Sequence, residues 1–266
     1  MAVQYISFSS WKDWYFCPFK FKITRVDKVK AFEGNEYSTF GTAIHDTAEK
    51  LLLKEEIEKL SQKEEEDFDP NFFFKKRFKE ELSKLPKEKI SESMITEMKK
   101  QGLEIIPEIL PELKKYFGDY SLVQTEYELR QPIKDYDSMD FYGFVDLILK
   151  TTDGKYHIVD WKSCSWGWDM KKRTSKEYTY QLTYYKYFLS KQLGIELSDI
   201  ETHFALLKRT AKKNKVEIFR VTSGDRKIKN ALNILENCVT NVEKQNFIKN
   251  KLSCSSCEFK KTVYCP

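Results

Sequence analysis

Apolar positions fall into short β-type runs in the middle of the chain and at helical spacing on either side of it. Residues 142–149 (Tyr-Gly-Phe-Val-Asp-Leu-Ile-Leu) and 155–162 (Lys-Tyr-His-Ile-Val-Asp-Trp-Lys) are rich in β-branched and aromatic types. Thr152, Asp153 and Gly154 lie between them, so the pair predicts a β-hairpin. Similar runs at 121–130, 202–208 and 215–221 predict three more strands. From Ser38 to Leu53, Phe40, Ile44, Thr47, Ala48 and Leu51 recur at about 100° per residue and predict an amphipathic helix. Further helices are expected at 175–193 and 223–245. Helical periodicity also runs from Asn71 to Phe117, broken near Pro86, Pro107 and Pro111. The pattern defines an α/β protein with a five-stranded mixed sheet flanked by helices. We expect one domain over 1–266, with a helical insertion at 54–118 that covers or gates a cleft.

The hairpin carries chemistry that an apolar strand pair does not need. With a three-residue loop and Gly154 in the left-handed conformation, Thr151 faces Lys155 and Asp146 falls opposite Asp160. Directly opposite residues on one face lie roughly 4.5–5.5 Å apart at Cβ. Lys162 shares the face of Asp160, two positions on. A two-residue turn would instead pair Asp146 with Trp161 and move it to the other face. Two carboxylates so placed repel unless one is protonated or a cation lies between them. Mg²⁺ or Mn²⁺ with oxygen ligands suits such a pair. The alternative is a solvated hairpin face on which Lys162 simply pairs with Asp160.

Three features outside the hairpin bear on that choice. His45 sits at the margin of the 38–53 stripe, as either a boundary residue or a ligand. Gln181 and Tyr185, four apart, share one helix face with Phe188 and Leu189, where an amide needs a partner unless the face is ordinary packing. Cys17, Cys254, Cys257 and Cys265 combine a Cys-x-x-Cys pair in a short tail (250–266) with a lone cysteine near the other end. That spacing suits a tetrahedral metal or an iron–sulfur cluster, with disulfides as the alternative. No secretory signal is evident and no apolar run is long enough to span a bilayer, so a reducing, cytoplasmic setting is expected. Cys164 and Cys238 read as ordinary small buried residues.

Charge adds little globally. The 46 basic and 41 acidic residues leave a net charge of +5, too small for a whole-protein field that favours nucleic acid. Lys54-Glu-Glu-Ile-Glu-Lys and Lys63-Glu-Glu-Glu-Asp read as a solvated helix end and linker. Basic clusters at Lys171–Arg173, with Trp166 and Trp168 upstream, and at Lys208–Lys215 suit single-stranded nucleic acid, or are solvated loops.

In this order, His45, Asp146, Asp160-Trp161-Lys162 and Gln181-x-x-x-Tyr185 resemble the PD-(D/E)XK nuclease superfamily, in its RecB-like branch. Cys17-Pro18 and the terminal cysteine trio make the chain similar to the iron–sulfur members, the Cas4-like and AddB-like nucleases, over residues 5–265. The resemblance implies a restriction-endonuclease-like core. It also implies a Mg²⁺ or Mn²⁺ site made by His45, Asp146, Asp160 and the Trp161 carbonyl, with Lys162 at the hydrolytic water. An upstream glutamate is expected, Glu126 before its rival Glu128. Gln181 and Tyr185 would steady the site and touch the DNA backbone, and the four cysteines would bind a [4Fe-4S] cluster. The gap from Cys257 to Cys265 is longer than the family pattern, which keeps Zn²⁺ as a competitor there.

The implied activity is metal-dependent DNA hydrolysis, as an exonuclease on single-stranded or frayed ends, in an oligomer or with recombination partners. Two other readings are a non-catalytic DNA-binding adaptor and a zinc-stapled RNA-processing enzyme.

Overall fold

A computed structural model describes residues 3–30, 34–61, 68–86, 91–133 and 136–266. Six strands form one mixed sheet: β1 (Tyr5–Ile6), β2 (Tyr120–Ile133), β3 (Tyr136–Thr151), β4 (Tyr156–Cys164), β5 (Ile200–Lys208) and β6 (Val216–Arg220). The five expected strands are present, and β1 is an addition. β2 and β3 are also longer than the sequence pattern suggested. The β3–β4 hairpin has the expected register, with Leu147 opposite Val159 and Lys150 opposite Tyr156. Its loop closes through Thr151 N–H to the Lys155 carbonyl at 3.0 Å, and Gly154 takes φ +86°, where a side chain would be strained. β4 runs parallel to β5, and the other pairings of β4 through β6 are antiparallel.

Nine α-helices among the described residues cover the sheet. One layer holds α1 (Phe8–Phe16), α2 (Pro18–Phe21), α8 (Lys176–Leu193) and α9 (Asp225–Glu243). Trp11, Tyr184, Phe188 and Leu235 pack there against Phe141, Ile158 and Phe204 of the strands. The opposite layer is α3 (Glu36–Ser61), α4 (Pro70–Leu82), α5 (Glu92–Ile105) and α6 (Ile109–Phe117). Phe40, Ile44, Phe74 and Phe78 meet Leu147, Val159 and Trp161 on that face. Burying apolar stripes on both faces explains why β4 and β5 read as nearly continuous apolar runs. The short α7 (Met170–Thr174) precedes α8.

Local signals set the helix ends that matter for the site. Asn35 and Ser38 exchange side-chain and backbone hydrogen bonds at the start of α3, a reciprocal cap. Ser175 caps α8, and Gly194 ends it in the left-handed conformation at φ +65°. Of the charged stretch expected as helix end and linker, Lys54–Lys59 continue α3, whereas Lys63–Asp67 lie outside the described residues. Pro111 falls in the first turn of α6, where its missing N–H costs nothing. Helices α4 to α6 pack beneath α3 as part of the second core layer.

Candidate active site

The site lies where β3 has a bare edge. β2 pairs along one edge of β3 from Thr151 down to Tyr136. On the other edge β1 meets only Asp140 and Phe141, and pairing with β4 begins at Leu147. Residues 142–146 therefore border a fork between β1 and β4. At its closed end, Asp146 Oδ2 accepts the Trp161 N–H at 2.8 Å. Continuing the hairpin register by one residue sets Asp146 against Asp160.

Asp160 is completely buried. Lys162 Nζ stands 2.5 Å from its Oδ2, while Oδ1 has no hydrogen-bonding partner. Burial pushes the Asp160 carboxyl up to about 7, with Lys162 opposing and Asp146 adding to the rise. Burial likewise lifts Asp146 to about 6 against the pull of Lys162 and the Trp161 N–H. For Lys162, burial disfavours the ammonium, but Asp160 and Asp146 outweigh it and hold the lysine above its usual range. Two buried acids whose carboxyls are both raised beside a single cation are a site short of positive charge.

Helix α3 brings His45 to the same place. Its Nε2 is buried without a partner, and burial followed by Lys162 lowers the imidazole to about 4, so it is neutral. A neutral imidazole nitrogen and a carboxylate oxygen, both orphaned, are donors that suit a divalent cation.

Glu126 falls opposite Asp146 in the β2–β3 ladder, between the pairs Thr125–Leu147 and Tyr127–Val145. Burial and then Glu49, Asp46 and Asp160 raise its carboxyl. Glu128 instead interacts with Tyr142 and Arg130, away from the acids. On α8, the Gln181 amide donates to the Tyr185 hydroxyl at 3.3 Å. Burial and then the charge of Asp160 raise that phenol. A Cβ on Gly143 would come within 3.2 Å of the Tyr185 ring, so glycine is what lets the tyrosine cross β3. The structure thus gathers His45, Glu126, Asp146, Asp160, Lys162, Gln181 and Tyr185, with Trp161 between the second acid and the lysine.

Two acids on α3 were missed. Asp46 is tied to Arg77 at 2.6 Å, and Glu49 accepts from Thr125 Oγ1 at 3.0 Å. Glu49 stands four residues after His45, a spacing that puts both on one helix side. The dense charge of the following segment hid that signal.

The four cysteines come together elsewhere. Cys17, Cys254, Cys257 and Cys265 line one small pocket between α1, α2 and the tail, and all six cysteines are free thiols. The Asn250 N–H donates to Cys17 Sγ at 3.2 Å, and the Asn250 and Ser253 side chains both donate to the Phe16 carbonyl. Cys238 is buried in the core, and Cys164 is half-buried with its thiol on the Trp166 carbonyl.

The basic clusters are partly paired within the protein. Trp168 is buried, Arg173 and Lys208 both pair with Glu217, and Lys215 pairs with Glu104. Those three cations are paired within the protein, whereas Lys171, Lys212, Lys213 and Trp166 are exposed. Among the described residues, the group of three ligand-type side chains whose ligand atoms all lie within 4.8 Å of one another is His157, Glu201 and His203 on β4 and β5, rather than His45 with the two acids. Its carboxylate is held by Arg220 and Lys155.

Comparison with known proteins accords with this geometry. The sequence matches the PD-(D/E)XK nuclease superfamily over residues 5–266, and the chain belongs to that family. Nucleases of this superfamily use divalent metal ions. The solved structure of a protein from Eubacterium rectale titled "Putative exonuclease" is similar, with TM-score 0.61 and 15% identity, covering 99% of this chain and 90% of that one. The protein SSO0001 is 18% identical over 82% of this chain and 95% of its own, with TM-score 0.39. No curated protein sequence matches. The α/β sheet flanked by helices is the restriction-endonuclease-like fold expected of the superfamily. No helix among the described residues is long and apolar enough to cross a membrane.

Proposed function

We propose that this chain is a metal-dependent deoxyribonuclease, acting as one unit over its length and degrading single-stranded or frayed DNA from an end. The observation that carries the reading is the orphaned pair at the fork: buried Asp160 Oδ1 and buried His45 Nε2, beside Asp146. His45, Asp146, Asp160 and the Trp161 carbonyl are the groups that would hold Mg²⁺ or Mn²⁺. Bound there, the cation would supply Lewis acidity, making hydroxide available near neutral pH and offsetting phosphate charge.

The chain's own groups complete the arrangement. The Lys162 ammonium stays protonated beside both acids and can hold a water or a phosphoryl oxygen. Gln181 and Tyr185 offer an amide and a hydroxyl to the phosphate backbone from the α8 side. Glu126, on the solvent side of Asp146, is placed to take a proton from an incoming water. The four unpaired cysteines around one pocket suit a [4Fe-4S] cluster that joins the two chain ends, with Zn²⁺ as the competing ion.

The test is cleavage of an end-labelled single-stranded oligonucleotide by anaerobically purified protein with Mn²⁺, Mg²⁺ or EDTA. Products that require metal and vanish in Asp160→Ala and Lys162→Ala, while both variants still bind DNA, are expected. Full cleavage by Lys162→Ala would sink the mechanism, and binding without cleavage under any metal would make the chain an adaptor.

A further inference from the structure

The fork opens into a cleft of about 770 Å³ that shares Gly143, Gln181 and Tyr185 with the active site. Its outer wall carries three aromatic rings in contact with one another. Tyr5 and Tyr142 have ring centroids 5.0 Å apart, and Tyr142 and Phe144 are 5.6 Å apart. Tyr5 is 47% exposed and Phe144 42% exposed. The rings are tilted by 58° and 78°, so they do not cover one another's faces. Open aromatic faces beside a cleft are costly to leave in water and mark a binding surface.

The direction of this ladder identifies its occupant. Tyr142 and Phe144 stand at two-residue steps along β3 and run toward Asp146, where the strand changes sides. With about 3.3 Å of rise per residue, Phe144 is roughly 7 Å along the strand from the acid. The ladder therefore leads into the acids. Along the same stretch the β3 edge facing the fork is free of β1 and β4, leaving backbone donors beside the path. Lys28 lines the cleft, whereas nearby Arg25 is already paired with Asp13 at 2.6 Å. Within a duplex, base faces are covered by their neighbours, while a single strand can lay each base on a ring and its phosphates on cations and amides.

We propose that this cleft is the track for a single-stranded DNA end, with successive bases stacked on Tyr5, Tyr142 and Phe144 and the backbone delivered past Gln181 and Tyr185 to Asp146. The assignment rests on the nuclease reading of the adjoining acids. It adds a contact surface on the β1 side of the fork, separate from the Trp168 and Lys208–Lys215 region, where Arg173, Lys208 and Lys215 are internally paired.

The experiment is fluorescence anisotropy of a labelled oligothymidylate in EDTA, together with Mn²⁺-dependent cleavage of a single strand and of a blunt duplex. It compares wild type with Tyr142→Ala, Phe144→Ala and the conservative Tyr142→Phe. Each alanine variant is expected to weaken single-strand binding about tenfold or more and to raise the single-strand KM in proportion. Duplex binding should change little, Tm should hold, and Tyr142→Phe, which keeps the ring, should lose far less single-strand affinity than Tyr142→Ala. Unchanged single-strand affinity in a Tyr142→Ala, Phe144→Ala double variant would overturn the track, as would an equal loss on duplex. If wild type cleaves nothing yet the alanine variants still lose single-strand binding, the nuclease reading fails and the track stands.

Discussion

Glu126 faces Asp146 across β2 and β3 with φ at +44°, in a region of backbone space that side chains avoid. The two strands change sides at this pair. Tyr127, Leu129, Phe141 and Val145 belong to the α8 layer, whereas Thr125 reaches Glu49 of α3 and Leu147 and Leu149 join the α3 layer. A strained residue that keeps its carboxylate beside an active site implies a function for that carboxylate. Glu126→Gly relieves the strain and removes the acid together. We expect Tm at or above wild type, by about 2 °C for a gain of ~1 kcal/mol, and metal-dependent cleavage reduced at least tenfold. Calorimetry and a cleavage assay on the same preparation check both; a stable variant with full activity would remove Glu126 from the site.

Gly143 has no polar atom to offer, yet its substitution should be felt at the chemistry. A Cβ there meets Tyr185 at 3.2 Å on the ring and 3.3 Å on the hydroxyl. Gly143→Ala should shift Tyr185 and break its bond with Gln181, lowering kcat by one to two orders of magnitude. Tyr185→Phe should show a similar or smaller loss, and adding Gly143→Ala to it should cost little more. Independent, additive losses would argue against this coupling.

The paired histidines His157 and His203 give stability a pH dependence of known sign. Their Nδ1 and Nε2 atoms are 3.1 Å apart, and burial lowers both, His203 to about 3. Each binds its proton less tightly folded than unfolded, where the value is about 6.5. Above that pH both states are neutral and nothing is lost. As pH falls from 6.5 toward 3 the unfolded chain gains protons first, and stability drops by at most about 1.4 kcal/mol per pH unit for each histidine. Tm measured from neutral pH down to mild acid should therefore fall less steeply in His203→Gln than in wild type. Parallel curves would show that the pair is not what titrates.

Cys257→Ser tests the cysteine pocket. Joining residue 17 to the tail closes a very long loop, which restricts the unfolded chain. The variant should lose brown colour and thermal stability together when both proteins are purified without oxygen. Metal analysis of wild type separates iron from zinc, and a colourless, equally stable and equally active variant would show that the four thiols hold nothing.

The hairpin register was legible because a single residue, Gly154, fixes the loop, and the loop fixes which acid faces which. Periodicity placed His45 and Gln181 to Tyr185 on helices, but only the resemblance joined them to the acids as one set. β1 was not, since two residues carry no period. Nor was the crossing-over at Glu126, because side-chain alternation assumes an extended backbone that this residue leaves. Nor were the ion pairs of Arg173 with Glu217 and of Lys215 with Glu104, because the partners are remote in sequence.

Tyr5 and Ile6 pin the start of α1 to the sheet, and Cys17 caps its other end at the cysteine pocket. The helix that walls the cleft is thus moored at both ends, one mooring being made by the last seventeen residues of the chain. A change in residues 250–266 can therefore be felt at the cleft wall, although none of the four cysteines lines that cleft.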